Sequence, residues 1–198
     1  MKINLKNLLP HLIAIVSFAV ITMAYFLPLL SGKQISQHDI MQWIGMSKEI
    51  VDYRNQFHEE PLWTGSMFSG MPAYQISVVY DGNLIRYVNA ILTLGLPVPA
   101  DFIFMMLLGF YLLLISLKID FRLCIAGAIG FAFSTYHFVI INAGHNSKAH
   151  AIALMPLVIA GVLMTLRGKL LTGGIITAIA LSLEIMANHL QITYYLFM

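Results

Sequence analysis

The stretch NAGHNSKAH, residues 142–150, sets two histidines, two asparagines and a lysine between two apolar runs. If the run that follows is a helix, Asn146 or Ser147 is a natural N-cap. The unpaired N–H groups of the first turn then favour an anion, through their donors and the helix dipole. Lys148 adds a fixed positive charge. His145, Asn146 and His150 add hydrogen-bond donors, and Gly144 allows a tight turn. Such a set suits a phosphate. A plainer reading also fits: a helix cap, with Lys148 touching lipid headgroups.

A second group lies in EIMANHLQ, residues 184–191. Glu184, Asn188 and Gln191 are four and then three apart, a spacing that shares one helix face, with His189 on another. An ionisable group beside a membrane span is costly to leave in lipid. Glu184 is therefore expected either to hold a polar substrate or to pair with Lys148 or a histidine.

A third group, His38 and Asp39, opens SQHDIMQWIGMSKEIVDYRNQFHEE, residues 36–60. Ile40, Trp43, Ile44, Ile50, Val51 and Phe57 have the spacing of an amphipathic helix, and Trp43 and Tyr53 suit a bilayer surface. Ser36 is the expected N-cap. Asp39 then falls in the first turn, where a carboxylate offsets the dipole or serves as a base.

No C-x-x-C, H-E-x-x-H or phosphate-loop pattern occurs. The histidine spacing demands no metal, although it is compatible with a divalent ion, and no cofactor is implied. No basic cluster suggests nucleic acid. The single cysteine, Cys124, excludes an intrachain disulfide.

The elements that must position these groups are membrane spans. Of 198 residues, 59% are apolar and 10% charged, against about 25% charged in soluble domains. Apolar blocks long enough to cross a bilayer core, roughly 20 residues of helix, predict an all-α, polytopic membrane protein. The expected spans are Leu8–Leu30, Phe102–Leu117, Leu123–Ile141, Ala151–Leu166 and Leu170–Ala187. A sixth begins near Ile192 and stops at Met198, too short to cross, so a longer protein is expected. The first apolar run exceeds the roughly 7–15 residues of a signal core and lacks an A-x-A-like site, which predicts an uncleaved span.

Lys2 and Lys6 precede the first span; Lys118 and Arg122 join the second and third, and Arg167 and Lys169 join the fourth and fifth. The positive-inside rule puts these residues, and the N-terminus, in the cytoplasm. Residues 31–101 and the 142–150 connector then lie outside. Eight of nine acidic residues and six of seven histidines share that outer side. Within 31–101, EEPLWTGSMFSGMPAYQIS is irregular yet apolar, so it must pack on protein or dip into the interface. Asp81-Gly82-Asn83 reads as a turn, and Pro97 and Pro99 lead into the second span, with Asp101 near its start.

Taken together, HDIMQWIGMSKEIVDYR, EEPLWTGSMFSGMPAYQIS, GHNSKAHAIALMPLVIAG and NHLQITYY resemble the N-terminal portion of YfhO-like bacterial membrane proteins, which are placed among the GT-C-type glycosyltransferases. Nearly the whole chain is covered, and members of that family are longer. The resemblance implies a single transmembrane domain in the bacterial cytoplasmic membrane. It also implies a polyprenyl-phosphate-linked sugar as donor and a glycan or other envelope acceptor, with transfer on the extracytoplasmic side. Asp39 matches the family's acidic residue after the first span and is implied to be catalytic. His38, His145, Asn146, Lys148, His150, Glu184, Asn188 and His189 are the expected substrate-binding residues. A flippase or permease, or a non-catalytic assembly subunit, would share the many spans. A transporter, however, should carry polar groups deep in the bilayer and on both sides.

Overall fold

The computed structural model describes residues 5–80 and 82–198. Lys2 and Asp81 lie outside the described residues, as does the side chain of Lys6. The helices, in chain order, are α1 (Leu5–Tyr25), α2 (Leu27–Leu30), α3 (His38–Phe57), α4 (Ile85–Leu92), α5 (Ala100–Ser116), α6 (Phe121–Ala132), α7 (Thr135–Ala143), α8 (Asn146–Leu166), α9 (Leu170–Met186) and α10 (Leu190–Phe197). Two short strands, β1 (Trp63–Thr64) and β2 (Met71–Pro72), pair antiparallel, Trp63 opposite Pro72 and Thr64 opposite Met71.

Among the described residues, three segments are long and apolar enough to cross a membrane: Leu8–Tyr25, Phe121–Ala143 and Asn146–Leu166. They give the chain the makeup of a multi-pass membrane protein. α5 and α9 are equally apolar but shorter, at 17 residues each.

α5 is the hub. It is buried from Ala100 to Gly109 and again at Tyr111, because α1, α6 and α8 all pack on it. Tyr111 anchors α1: its hydroxyl lies 2.7 Å from His11 Nδ1, and Phe18 meets its ring edge-on at 5.5 Å. On its other flank α8 packs against α9. These two helices approach through Gly161 and Gly173; a Cβ on Gly161 would stand 2.6 Å from the Thr177 backbone nitrogen. Small residues at such a crossing let backbones come close, which is how helices associate where burial from water offers no driving force.

Four expectations are corrected. The third span is interrupted: α6 ends at Ala132 and α7 starts at Thr135, with Ser134 extended between them. The cap of α3 is Gln37 rather than Ser36. The cap of α8 is His145 rather than Asn146 or Ser147, and it makes no side-chain cap bond. Finally, α9 stops at Met186 and Asn188 takes a left-handed φ of 54°. Glu184, Asn188 and Gln191 therefore do not share a helix face.

Residues 38–77 form a folded unit rather than a loose loop. Glu49 on α3 accepts hydrogen bonds from the Thr64 hydroxyl and, at 3.1 Å, from the Gly65 N–H. The Thr64 bond above all holds the Glu49 carboxyl below its usual range. Trp43 Nε1 donates to the Ile76 carbonyl at 3.0 Å, and Arg54 Nη2 donates to Glu60 Oε2 at 2.8 Å. The strand pair gives order to a stretch expected to be irregular. Gly70, at φ +120°, lets the Trp63 indole close over the turn; a Cβ there would meet Trp63 Nε1 at 2.6 Å. Trp43, Ile44, Phe57, Trp63 and Phe68 remain exposed, an apolar surface of the kind that enters a bilayer interface. The Asn83 N–H donates to the Tyr80 carbonyl at 3.0 Å, while Asp81 of the expected turn lies outside the described residues.

Candidate functional site

The site is assembled where the head of α3 docks on the α7–α8 connector. Gly144 is what permits the approach. Its φ is +102°, and a Cβ there would stand 3.0 Å from Asp39 Cβ and 3.2 Å from the Ile40 nitrogen. Beside it, Gln37 is buried and its side chain is fully engaged. Its Nε2 donates to the Ile141 carbonyl and, at 2.9 Å, to Asn146 Oδ1, while Asn146 Nδ2 donates back to Gln37 Oε1 at 3.3 Å. Each such bond contributes about 0.5–1.5 kcal/mol net, and together they fix the register of α3 on the connector.

That docking brings Asp39 Oδ2 to 3.0 Å from His145 Nδ1. Both side chains are about half exposed, 43% and 52%. A pair so open to solvent contributes only about 0–1 kcal/mol to stability, so the arrangement is poorly explained as a fold-holding bridge. It leaves a carboxylate and an imidazole accessible side by side. Lys148, one turn into α8, lies with Nζ 5.4 Å from the centre of the Tyr136 ring.

His189, the residue before α10, belongs to the same neighbourhood. Burial pushes its pKa down, and the positive charges of Lys148 and His145 push it further in that direction. Its Nε2 is buried and has no hydrogen-bond partner among the described residues. Deeper, Glu184 is fully buried. Thr193 on α10 is its polar neighbour, yet neither the Glu184 carboxyl nor the Thr193 hydroxyl closes a well-formed hydrogen bond among the described residues. Such groups are costly to bury unanswered, so a polar ligand is one way to satisfy them.

The other expected residues lie elsewhere. His150 is taken up by α4 and α5: Nε2 is 3.1 Å from Asn89 Oδ1, and its ring stacks on Phe102 at 5.3 Å. It packs α8 against α4 and α5. His38 is exposed and meets Gln42 of its own helix at 2.9 Å. Asn188 is exposed at the α9–α10 break. The structure thus gathers Asp39, His145, Asn146, Lys148 and His189, keeps Glu184 of α9 beside Thr193 of α10, and leaves His38, His150 and Asn188 out. Gln37, Asn89 and Thr193 escaped the sequence reading. Each acts through a partner distant along the chain or beyond a helix break, and no local pattern marks such a residue. Among the described residues, no three His, Cys, Asp or Glu side chains converge as a metal site would require.

No family model, curated protein or solved structure matches this chain.

Proposed function

We propose that the chain is the N-terminal part of a GT-C-type membrane glycosyltransferase. In this reading it moves a sugar from a polyprenyl-phosphate donor to an extracytoplasmic hydroxyl acceptor. The observation that carries this reading is the seating of the first turn of α3 on Gly144, with Asp39 3.0 Å from His145 and Lys148 and His189 close by.

The chemistry follows from those groups. Asp39 takes the proton of the acceptor hydroxyl, the acceptor oxygen bonds to the anomeric carbon, and the bond from that carbon to the phosphate oxygen breaks. The lipid phosphate keeps the electron pair. Its growing charge is met by Lys148 and His145, fixed donors of the kind that favour a developing anion. Glu184 and Thr193, buried without well-formed partners, suit the hydroxyls of a sugar.

The reading also requires five crossings. α5 and α9, at 17 residues, sit at the lower end of the roughly 17–25 that a span needs. With the N-terminus cytoplasmic, the α3 unit and the α7–α8 connector face outward, in line with the distribution of Lys and Arg.

The test is sugar transfer from a polyprenyl-phosphate donor by the full-length protein in proteoliposomes, with substrate flux followed in the same vesicles. Transfer that falls about 10²–10⁴-fold in Asp39→Asn, the usual range for a general base, supports the reading. Unchanged transfer in that variant, or flux without transfer, overturns it.

A further inference from the structure

From the turns that join α5 to α6 and α8 to α9, a groove of about 930 Å³ runs between α5, α8 and α9 as far as Leu92 of α4 and Leu183 of α9. A long apolar groove with a few polar groups gathered at one end is the usual form of a ligand site. α5 and α9 both pack on α8 and flank the opening. Leu157, Ala160 and Met164 of α8 face it at helical spacing, and so do Ile176, Ala180 and Leu183 of α9. From Lys169 to Leu183 the wall runs about 21 Å at 1.5 Å per residue, deeper than one leaflet of a hydrocarbon core roughly 30 Å thick.

One end of this apolar groove is strongly cationic. Lys118 from the α5–α6 turn and Arg167 and Lys169 from the α8–α9 turn all line it, and no acidic residue does. Among the described residues no carboxylate pairs with any of the three. Arg167 Nη1 donates to the Ser116 carbonyl, which ties the two turns together; the rest of the guanidinium fork has no partner among the described residues. Asp120, the nearest acid in sequence, is turned to its own helix, where it accepts the Arg122 N–H at 3.0 Å. Three cations at the mouth of a long greasy slot match one kind of molecule, an anionic headgroup carrying a hydrocarbon chain.

We infer that the groove seats an anionic phospholipid of the cytoplasmic leaflet, its phosphate held by Lys118, Arg167 and Lys169 and an acyl chain laid along α8 between α5 and α9. The leaflet follows from the positive-inside rule for these two turns. The groove's cationic end lies at the opposite end of α8 from the α7–α8 connector, and the assignment does not depend on the transferase reading.

The experiment uses the full chain in nanodiscs of equal parts phosphatidylglycerol and phosphatidylcholine, released into native mass spectrometry. Retained phosphatidylglycerol in clear excess over phosphatidylcholine is expected. A basic residue near the surface strengthens attraction to anionic lipid roughly fivefold, so the triple variant K118Q/R167Q/K169Q should lose about a hundredfold in that preference. K118R/K169R keeps the charge and should keep the lipid. Ala180→Phe, which fills the slot and leaves the cations, should lower retention as well. Equal retention of both lipids by the wild type, an unchanged preference in the triple variant, or a lipid-free dimer covering the groove would overturn the assignment. Sugar transfer is not read in this experiment, so failure of the transferase proposal leaves its result intact.

Discussion

At the connector end of the bundle, polar side chains from distant parts of the chain find one another. Gln37 closes an amide pair with Asn146, Asp39 meets His145 at 3.0 Å, and His150 is answered by Asn89. At the opposite end, Lys118, Arg167 and Lys169 stand around an apolar groove with no carboxylate partner among the described residues, and the helices are joined by glycines. Gly161 and Gly173 bring α8 and α9 into backbone contact. The contrast separates two ways of using polar residues in a greasy chain. Where they pair with each other, they position a segment. Where they are left unpaired at the rim of an apolar slot, they are available to an outside anion.

The largest effect that tests this contrast is at Asp39. As above, Asp39→Asn should cost about 10²–10⁴ in transfer rate, while its side chain, half exposed, should leave thermal unfolding nearly unchanged. A matching loss of stability would mean that the Asp39–His145 pair is structural after all. At the other end, Gly161→Leu forces atoms into a crossing where even a Cβ has 2.6 Å to the Thr177 nitrogen. Overpacking typically costs about 1–3 kcal/mol, and thermal unfolding in detergent should show that loss or more. Stability equal to wild type would show that α8 and α9 separate easily.

Gly144→Ala should cost about 1–2 kcal/mol, the usual strain of a left-handed non-glycine residue. It should also loosen the head of α3, because its Cβ would press on Asp39 and Ile40. Faster hydrogen exchange over the first turn of α3, with phosphatidylglycerol retention unchanged, is the expected pattern; a change in lipid retention would mean that the two ends are coupled. The smallest effect is at Arg54–Glu60. The Arg54 hydrogen bond holds the Glu60 carboxyl below its usual range. Its contribution is therefore complete at neutral pH and fades as the pH falls below the ordinary carboxylate range toward the lowered value in the fold. With the two side chains 21% and 33% exposed, solvent still screens the pair in part, and the loss is about 1 kcal/mol or less. Acid unfolding of Glu60→Gln and wild type should converge at low pH; a gap that persists there would show that the charge is not what matters.

Much of the architecture was legible because burial of apolar side chains leaves a long, periodic trace. The runs that became α1, α5, α8 and α9 are visible without any partner, and NAGHNSKAH stood out as a connector because polar residues interrupt that trace. Gly144 was recognisable as a turn. The breaks were less visible. Nothing at Phe133–Ser134 or at Asn188 has the strength of a proline or glycine signal. Asn188 reaches its left-handed φ of 54° because asparagine tolerates that region. The pull of Glu184 and Asn188 toward one face failed for that reason. His145 and His150, five positions apart, parted company because one met Asp39 and the other met Asn89 and Phe102.

By itself, the sequence determined that this chain has the makeup of a multi-pass membrane protein and which of its long segments are helical. These depend on transfer of apolar side chains and on charge counts, which are sums over local residues. Only the tertiary structure decided that Gln37 and Gly144 seat α3 so that Asp39 reaches His145, that His150 is packing, and that Lys118 joins Arg167 and Lys169 at one groove. Those are pair distances between residues far apart in the chain, and no local pattern of residue types encodes them.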